Sequence, residues 1–333
     1  MEKEEIEFFR SVGIEYLKVL AQGGYGTVYH VYSNQYKANF ALKSIPIELF
    51  NQTEIDCLKT IDDPCIVNLY QYYKFEDNVY MLMEYCPNDL EKVIKSNQIK
   101  DEKELQKLIY EVIIAVRACH SHNIAHCDIK PSNFFIDQYG RVKIGDFGLS
   151  TIFKGHPSST MFRGTRYYMA PEIFQCKEYN PMVADIWALG VSIYMLATGF
   201  YPFFSEDNFA LKQIISRGIY DENEIKDRSL KRVIARCLTV NPHRRATLEE
   251  LLQLPYFEKF PRNNNEDVPI SLSQFAIRPK IMIVKPKVQD HGALLCFHSC
   301  INLHNMRASR IHLVPNTSKS AHEFKLENNS IEY

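Results

Sequence analysis

The sequence has no excess of charge of either sign. Its 39 lysine and arginine residues are balanced by 40 aspartate and glutamate residues, so the net charge at pH 7 is −1. No long run of basic residues interrupts this balance. Proteins that bind nucleic acid or an anionic membrane surface electrostatically carry a basic patch. We therefore expect neither nucleic acid nor a membrane among the partners.

Cysteine pairs at disulfide spacing are also lacking. The nine cysteines are scattered singly along 333 residues. Disulfides form in oxidising compartments, where small secreted domains concentrate them. The scattered pattern is typical of a reducing cytosol, so we expect a cytoplasmic protein. The acidic start, residues 1–7, does not resemble a secretory signal, and Glu2 excludes an N-myristoyl glycine.

The apolar stretch after Asp185 is too short to predict a membrane span. It reaches about Thr198, and Gly199 and Pro202 follow it. A helix that crosses a bilayer needs ~20 apolar residues. The stretch therefore predicts a buried core helix. With 46% hydrophobic and 24% charged residues, the composition is that of an ordinary globular protein.

Two short motifs carry chemical groups at an informative spacing. The run His-Cys-Asp-Ile-Lys-Pro-Ser-Asn at residues 126–133 is followed by Asp-Phe-Gly at residues 146–148. Between them, residues 134–136 and 141–144 predict a hairpin of two short strands. Such a hairpin would hold the acidic groups of both motifs near one phosphate. The two motifs resemble the catalytic loop and the metal-binding motif of eukaryotic protein kinases.

The resemblance implies a role for each polar residue of these motifs. Asp128 would take the proton of the acceptor hydroxyl, and Lys130 would steady the migrating phosphoryl group. Asn133 and Asp146 would hold Mg²⁺, which prefers hard oxygen ligands. Thr165, near the end of the activation segment, bridges the catalytic Asp and Lys in relatives and favours serine and threonine acceptors.

The N-terminal part resembles the nucleotide-binding lobe of the same family. Lys43 would bind the α- and β-phosphates, and Glu54, on a predicted helix, would hold that lysine. Met83 would be the gatekeeper, while the Glu84 carbonyl and Cys86 amide would bind the adenine edge. The residues that the resemblance places around ATP are Leu20, Ala21, Gln22, Gly23, Gly24, Tyr25, Gly26, Thr27, Val28, Ala41, Lys43, Met83, Glu84, Cys86, Asp89 and Phe135.

Some of these positions depart from the family pattern. The three glycines of the family's phosphate-binding loop fall on Ala21, Gly23 and Gly26, so a methyl group occupies the first position. Phe135 would form the floor of the adenine pocket, where relatives usually have a smaller aliphatic residue. Asp89 would meet the ribose.

Cys127 is the departure with the largest regulatory consequence. Relatives usually carry arginine there, whose guanidinium holds a phosphate of the activation loop. Phosphorylation of Ser158, Ser159 or Thr160 would gain fewer charge-assisted hydrogen bonds without it, so we expect only weak dependence on loop phosphorylation. Some active relatives, the dual-specificity tyrosine-regulated kinases among them, share His-Cys-Asp, so Cys127 does not imply inactivity.

The resemblance covers about residues 14–260 and implies an α+β, bilobal protein kinase fold. The small N-lobe, about residues 14–84, would hold an antiparallel sheet and one helix, and the large C-lobe, about residues 87–260, would be mainly helical. Residues 1–13 would be an N-terminal extension. Residues 261–333 would be a C-terminal tail of unknown role, disordered in part.

Two further contacts are expected within the large lobe. Asp185 would anchor the backbone of the catalytic loop. Arg245 would form a buried ion pair with Glu172, of the kind that supports architecture because a lone buried charge is costly.

We therefore expect an ATP-dependent serine/threonine protein kinase that transfers the γ-phosphate of Mg-ATP to protein hydroxyls. An alternative is a pseudokinase that acts as a scaffold or allosteric partner, suggested by Ala21, Cys127 and Phe135. A small-molecule phosphotransferase is a third reading, which residues 164–172 disfavour because they form a peptide platform in relatives. The overall sequence pattern is similar to that of calcium/calmodulin-dependent-kinase-like or Nek-like enzymes. Protein substrate, subfamily and oligomeric state stay open.

Overall fold

A computed structural model describes residues 1–24, 26–175 and 178–260 of the chain. Two predictions concern residues outside this set, namely Tyr25 in the nucleotide site and the tail at residues 261–333. The described strands are β1 (Ile14–Gly23), β2 (Gly26–Ser33), β3 (Ala38–Pro46), β4 (Leu69–Phe75), β5 (Asn78–Glu84), β6 (Asn88–Asp89), β7 (Ile124–Ala125), β8 (Phe134–Ile136), β9 (Val142–Ile144) and β10 (Thr151–Ile152). The described α-helices are α1 (Lys3–Ser11), α2 (Gln52–Thr60), α3 (Leu90–Lys95), α4 (Glu102–Ser121), α5 (Pro181–Thr198), α6 (Asn208–Arg217), α7 (Arg228–Cys237) and α8 (Leu248–Leu252).

The first five strands form one antiparallel sheet in the order β1-β2-β3-β5-β4. Alternation of side chains along β3 buries Phe40 and Leu42 in a small aromatic core. Ala41 and Lys43 point to the opposite face, because the side chains of successive strand residues alternate. In this register Lys43 lies beside Val28 of β2, and Ala41 lies beside Met83 of β5. The antiparallel sheet predicted for this lobe is confirmed.

The described residues of the N-lobe, 14–84, contain the one α-helix that the sequence predicts, and a further helix lies in the N-terminal extension. The expected helix is α2, which begins after Asn51, whose side chain accepts a hydrogen bond from the Thr53 amide at 3.0 Å. The additional helix is α1, within residues 1–13. Its Phe9 is fully buried, with its ring 4.8 Å from that of Tyr80. The N-terminal extension is therefore part of the small core.

Helix α5 runs through the larger core of the C-terminal part. It begins at Pro181, four residues before the predicted start at Asp185. Proline is favourable at the first helical position because its missing N–H would have no helical partner there, and the Asn180 side chain caps the Met182 amide at 3.0 Å. The helix has the length and composition of a membrane span, but 78% of it is buried inside the protein.

Short strands join the catalytic segments to the remainder of the chain. β8 and β9 form the predicted antiparallel hairpin, with Phe135 opposite Lys143. β6 pairs with the free edge of β8, so Asp89 lies opposite Phe135. The Val67 amide donates to the Ile144 carbonyl at 2.9 Å. These contacts bring the segment after β5 beside the residues that precede the Asp-Phe-Gly motif.

Candidate active site

Lys43 reaches two carboxylates from β3. Its Nζ atom lies 2.7 Å from Glu54 Oε1 and 2.7 Å from Asp146 Oδ1. Burial alone would lower the pKa of Lys43, but the two carboxylates outweigh it and raise that pKa above its ordinary value. Burial alone would raise the pKa of Asp146, but Lys43 outweighs it and lowers that pKa. The expected contact between Lys43 and Glu54 is therefore present, and the lysine is charged at neutral pH.

The backbone before the Asp-Phe-Gly motif is held by His126. Its Nε2 atom lies 3.0 Å from the Gly145 carbonyl, so this nitrogen must carry the proton. The ring of Phe147 is fully buried, 5.0 Å from the His126 ring. Asp146 itself has φ 62°, a left-handed conformation that is strained outside glycine and needs support from its surroundings. The sequence predicts no role for His126.

Four predicted catalytic residues form one hydrogen-bonded network. Asp128 Oδ1 accepts from Thr165 Oγ1 at 2.8 Å, and Asp128 Oδ2 lies 2.7 Å from Lys130 Nζ. Lys130 Nζ also donates to Thr165 Oγ1 at 3.0 Å. Asn133 Nδ2 donates to the Asp128 carbonyl at 2.8 Å. The threonine thus bridges the aspartate and the lysine, as the resemblance implies.

Asp185 of α5 anchors the backbone of the catalytic loop, as expected. Its two carboxylate oxygens accept from the amides of His126 at 2.8 Å and Cys127 at 2.9 Å. His120 Nε2, on α4, lies 3.0 Å from the same carboxylate. These bonds hold Cys127 at φ 64°. The sequence analysis missed His120, because a histidine near the end of an amphipathic helix has no local signal for a partner 65 positions later.

Cys127 does not provide a nucleophile in this arrangement. Burial is the largest cause that raises the pKa of its thiol far above the ordinary range, and Arg163 only partly offsets it. Cys86 behaves in the same way, since burial raises the pKa of its thiol to about 12.

The glycine-rich segment connects β1 and β2. Its pairing continues to Gly23 opposite Gly26, with Ala21 opposite Val28. Gly26 has φ 134°, and a Cβ there would lie 2.0 Å from the Ser44 carbonyl oxygen. Only glycine fits at that position. Ala21, in contrast, is exposed and follows an irregularity in the β1–β2 pairing between Val19 and Ala21, so its methyl group is accommodated.

The residues predicted to bind adenine lie around the end of β5. Met83 is buried, and the Glu84 side chain lies 2.9 Å from Lys143 Nζ and 2.7 Å from Asn68 Nδ2. Lys143 is itself buried, with 3% of its side chain exposed. The sequence analysis missed Lys143 and Asn68. A charged residue inside the short apolar strand β9 was the available signal for Lys143.

Asp89 and Phe135 meet at the β6–β8 pairing. Asp89 Oδ1 accepts from the Lys92 amide at 2.9 Å, which caps α3, and Oδ2 lies 2.8 Å from Lys92 Nζ. The carboxylate predicted to meet the ribose therefore already has two partners. Phe135 is half-buried, and a Cβ on Gly145 would lie 3.1 Å from its ring. Glycine at position 145 is what leaves room for the larger floor residue.

The end of the activation segment packs against the catalytic loop. Gly164 has φ 102°, and a Cβ there would lie 2.7 Å from the Cys127 carbonyl oxygen. Further along, Arg245 Nη1 and Nη2 bind the two oxygens of Glu172 at 2.6 and 2.9 Å. The predicted pair is therefore present, in the bidentate geometry that strengthens arginine–carboxylate contacts.

The N-terminal part contains a five-stranded antiparallel sheet that carries the charged Lys43. The mainly helical part that follows carries Asp128 and Asp146. Together they define a bilobal fold of the kinase class. The chain belongs to the protein kinase family, since the family described as "Protein kinase domain" matches residues 14–257. The α+β fold expected from the sequence is thus confirmed.

Curated relatives carry the same domain within longer proteins. The chain is 32% identical to the carbon catabolite-derepressing protein kinase of Saccharomyces cerevisiae over 250 residues, which are 73% of this chain and 40% of that protein. It is 33% identical to the serine/threonine-protein kinase SIK2 of Gallus gallus over 210 residues, which are 62% of this chain and 26% of that protein. The chain spans about half or less of the length of the first curated relatives it matches.

Proposed function

We propose that this protein is an ATP-dependent serine/threonine protein kinase that transfers the γ-phosphate of Mg-ATP to protein hydroxyls. The observation that carries the proposal is that two charged constellations occur together. Lys43 contacts Glu54 and Asp146 at 2.7 Å each, and Asp128 contacts Lys130 at 2.7 Å. Kinase catalysis depends on positioned charges of these types, because the protein mainly positions the phosphates and stabilises their charge.

The phosphate-binding end relies on Lys43. A charged lysine held by a carboxylate on α2 is a fixed cation that can bind the α- and β-phosphates. Its partner Glu54 has only 3% of its side chain exposed, so the lysine is held from the protein side. The glycine-rich segment supports this end, since Gly26 brings the backbone of β2 close to β3.

The metal-binding end relies on Asp146 and Asn133. Within residues 1–24, 26–175 and 178–260, no group of three or more His, Cys, Asp or Glu residues could hold a metal ion alone. Mg²⁺ is usually bound by one or two carboxylates together with waters and phosphate oxygens. Asp146 offers one partly exposed carboxylate, and Asn133, whose backbone carbonyl accepts from the Gly145 amide at 3.1 Å, offers an amide oxygen. These two residue types fit that ligand set. When bound, Mg²⁺ would offset the negative charge of the phosphates.

The acceptor end relies on Asp128. Both of its carboxylate oxygens have partners, Thr165 on one and Lys130 on the other, so the side chain has a fixed orientation. Asp128 would accept the proton of the substrate hydroxyl, and Lys130 would offset charge on the transferring group. Thr165 supports serine or threonine as acceptor, in agreement with the name of the relative SIK2, a serine/threonine-protein kinase. The free thiols of the six described cysteines favour a cytoplasmic location.

The test is transfer of labelled γ-phosphate from Mg-ATP to a degenerate serine, threonine and tyrosine peptide library. Wild type is compared with Asp128→Asn, which keeps the size of the side chain, and with Glu258→Gln, which removes an exposed carboxylate elsewhere. We expect label on serine and threonine peptides with wild type and Glu258→Gln, and a loss of at least ~10²-fold with Asp128→Asn.

The pseudokinase alternative predicts a different result. A wild-type protein that binds ATP, measured by nucleotide-dependent stabilisation against heat, but transfers no label would contradict the proposal. Label on tyrosine peptides alone would contradict the serine/threonine assignment.

A further inference from the structure

Arg166 follows directly on Thr165, the residue that contacts the catalytic aspartate. Its guanidinium is half-buried and has two uncharged partners, since Nη1 donates to Asn208 Oδ1 at 2.7 Å and Nη2 donates to the Tyr167 hydroxyl at 2.6 Å. A guanidinium has five N–H donors, of which these bonds use two. Within the described part of the chain, no ion pair includes Arg166. Its positive charge is therefore uncompensated.

An aromatic stack holds the Arg166 side chain in place. Its guanidinium carbon lies 4.6 Å from the centre of the Tyr167 ring, an arrangement in which the face of the ring attracts the cation. Tyr167 packs in turn against Tyr201 and Phe204, with ring centroids 5.0 and 5.6 Å away. Because the guanidinium is already fixed, little further ordering is needed when an anion binds it.

The two carboxylates at the start of α3 are each neutralised by a lysine of the same helix. Asp89 Oδ2 lies 2.8 Å from Lys92 Nζ, and Glu91 Oε1 lies 2.8 Å from Lys95 Nζ. A basic side chain of a substrate would have to displace a lysine to bind either of them. These carboxylates therefore do not favour basic substrates strongly.

Helix α3 and the aromatic stack border the same acceptor site. Burial and a hydrogen bond with Tyr201 raise the pKa of the Tyr168 phenol above its ordinary range, and the charges of Glu91 and Asp128 raise it further. Tyr168 thus lies within electrostatic reach of both carboxylates. Asp128 has its own lysine partner at 2.7 Å. The carboxylates around the acceptor are therefore matched by cations, whereas the guanidinium beside Thr165 has no matching anion.

The acidic residues next to Asn208 do not neutralise the guanidinium either. Asp207 Oδ1 accepts from the Ala210 amide at 2.7 Å, which caps α6. Glu206 is exposed, and it takes part in no ion pair among the described residues. Both carboxylates lie in solvent, where salt screens their charge, whereas the guanidinium is half-buried.

We propose that Arg166 binds an acidic side chain of the protein substrate within three positions of the acceptor, so that acidic sequences around the acceptor are preferred. The inference rests on the proposed function, since it names the substrate class of the same site. Three residues of extended chain span at most about 10 Å, so a carboxylate in that interval can reach a side chain adjacent to Thr165. There it gains charge-assisted hydrogen bonds.

The experiment compares peptide substrates that differ in a single charge. A serine acceptor stands among neutral residues, and one Glu, Gln or Lys is placed in turn at each of the three positions on either side. Transfer from Mg-ATP by the full chain gives kcat and KM for each peptide. We expect Glu at one position to raise kcat/KM about tenfold over Gln, the effect of one charge-assisted hydrogen bond. The gain should come through KM, because the contact is equal in the ground and transition states.

Three variants test whether Arg166 causes the preference. Arg166→Gln should remove the preference for Glu over Gln. Arg166→Glu should favour Lys at the same position, a reversal that a purely structural role would not produce. Arg166→Lys keeps the charge without the planar fork and should retain part of the preference, which preserves the test if another variant does not fold.

Arg228→Glu is the matched control, because it changes the net charge by the same amount at an exposed position of α7. It should keep the wild-type preference. No preference for Glu over Gln at any position in the wild type, or the same preference in Arg166→Gln, overturns the proposal. Phosphoserine at the same position tests a phosphate in place of the carboxylate, and a preference for phosphoserine with none for Glu overturns the assignment to acidic residues.

Peptide binding separates this proposal from the proposed function. Fluorescence anisotropy measures binding of the Glu and Gln peptides with alanine at the acceptor position, which needs no phosphate transfer. Tighter binding of the Glu peptide that depends on Arg166, in a protein that transfers no phosphate, would support the Arg166 site and overturn the proposed function. Equal transfer to both peptides together with equal binding would overturn the Arg166 site alone.

Discussion

Two ion-paired clusters in this protein use similar distances in different surroundings. Arg245 binds Glu172 at 2.6 and 2.9 Å, with none of the arginine side chain and 10% of the glutamate side chain exposed. Lys43 binds Glu54 and Asp146 at 2.7 Å, but 42% of the Asp146 side chain is exposed. The first pair is almost entirely enclosed by protein, whereas the second leaves one carboxylate open to solvent.

The difference separates charges that hold the fold from charges that are available to a ligand. Arg245 and Glu172 neutralise each other, so any partner from outside would have to break a buried pair. Lys43 faces two carboxylates, which leaves one negative charge uncompensated. A divalent cation would relieve that charge, and phosphates would meet the lysine. The comparison predicts that damage to the first cluster lowers stability, whereas damage to the second lowers activity.

The largest expected effect on stability comes from Arg245→Leu. This change leaves Glu172 buried without its partner and also removes the donor to the Val183 carbonyl at 2.9 Å. We expect the free energy of unfolding to fall by ~3–5 kcal/mol, measured by urea denaturation followed by circular dichroism. Arg232→Leu, on the exposed face of α7, is the matched control and should change stability by less than ~0.5 kcal/mol. Equal losses in both variants would contradict the structural role of the pair.

Lys43→Met tests the open cluster. Removal of one positioned cation from a site where charge develops is expected to lower kcat/KM by ~10²–10³. Stability falls as well, because Glu54, with 3% of its side chain exposed, is left buried without its partner. Lys74→Met, which removes an exposed lysine of β4, should keep full activity. A Lys43→Met protein that transfers phosphate at the wild-type rate would refute the role proposed for this lysine.

A smaller effect is expected in how the free energy of unfolding of Lys43→Met depends on pH. Burial raises the pKa of Glu54 above 4.5, and Lys43 opposes that rise, so loss of the lysine raises the pKa further. A carboxyl group whose pKa is higher in the folded protein than in the unfolded chain binds its proton more tightly when folded. Its contribution to stability is therefore fully present below the unfolded-state pKa and is lost as pH rises through the folded-state pKa. The variant should therefore lose stability relative to wild type as pH rises above 4.5, the ordinary pKa of a glutamate. Adding Glu54→Gln should remove this difference.

These contacts also mark how far the sequence predicts the structure. Lys43, Glu54, Glu172 and Arg245 were predictable as partners, because each stands within a run of residues whose order resembles a known family. The β8–β9 hairpin was predictable because turn residues separate two short apolar runs. The expected contacts form, while the chemical roles of their residues stay predictions.

Contacts that depend only on tertiary packing were not predictable. His120 contacts Asp185, which lies 65 positions later in the chain. Lys143 of β9 contacts Glu84, the last residue of β5. Neither pair has a local spacing that indicates its partner. Phe9 shows the same limit for a core residue, because a nine-residue amphipathic helix is too short to predict which surface it covers.

The smallest expected effects concern Asp89, which combines features of both clusters. Its two oxygens are already bound by Lys92, as in a closed pair, yet the sequence predicts a ribose contact for it. Asp89→Ala should lower the free energy of unfolding by ~1 kcal/mol through loss of the α3 cap, whereas Asp89→Asn should not, because asparagine caps helices equally well. If Asp89 also contacts the ribose, Asp89→Asn should have a higher KM for ATP than wild type at unchanged stability. An unchanged KM in that variant would assign Asp89 to the fold alone, beside Glu172 and Arg245.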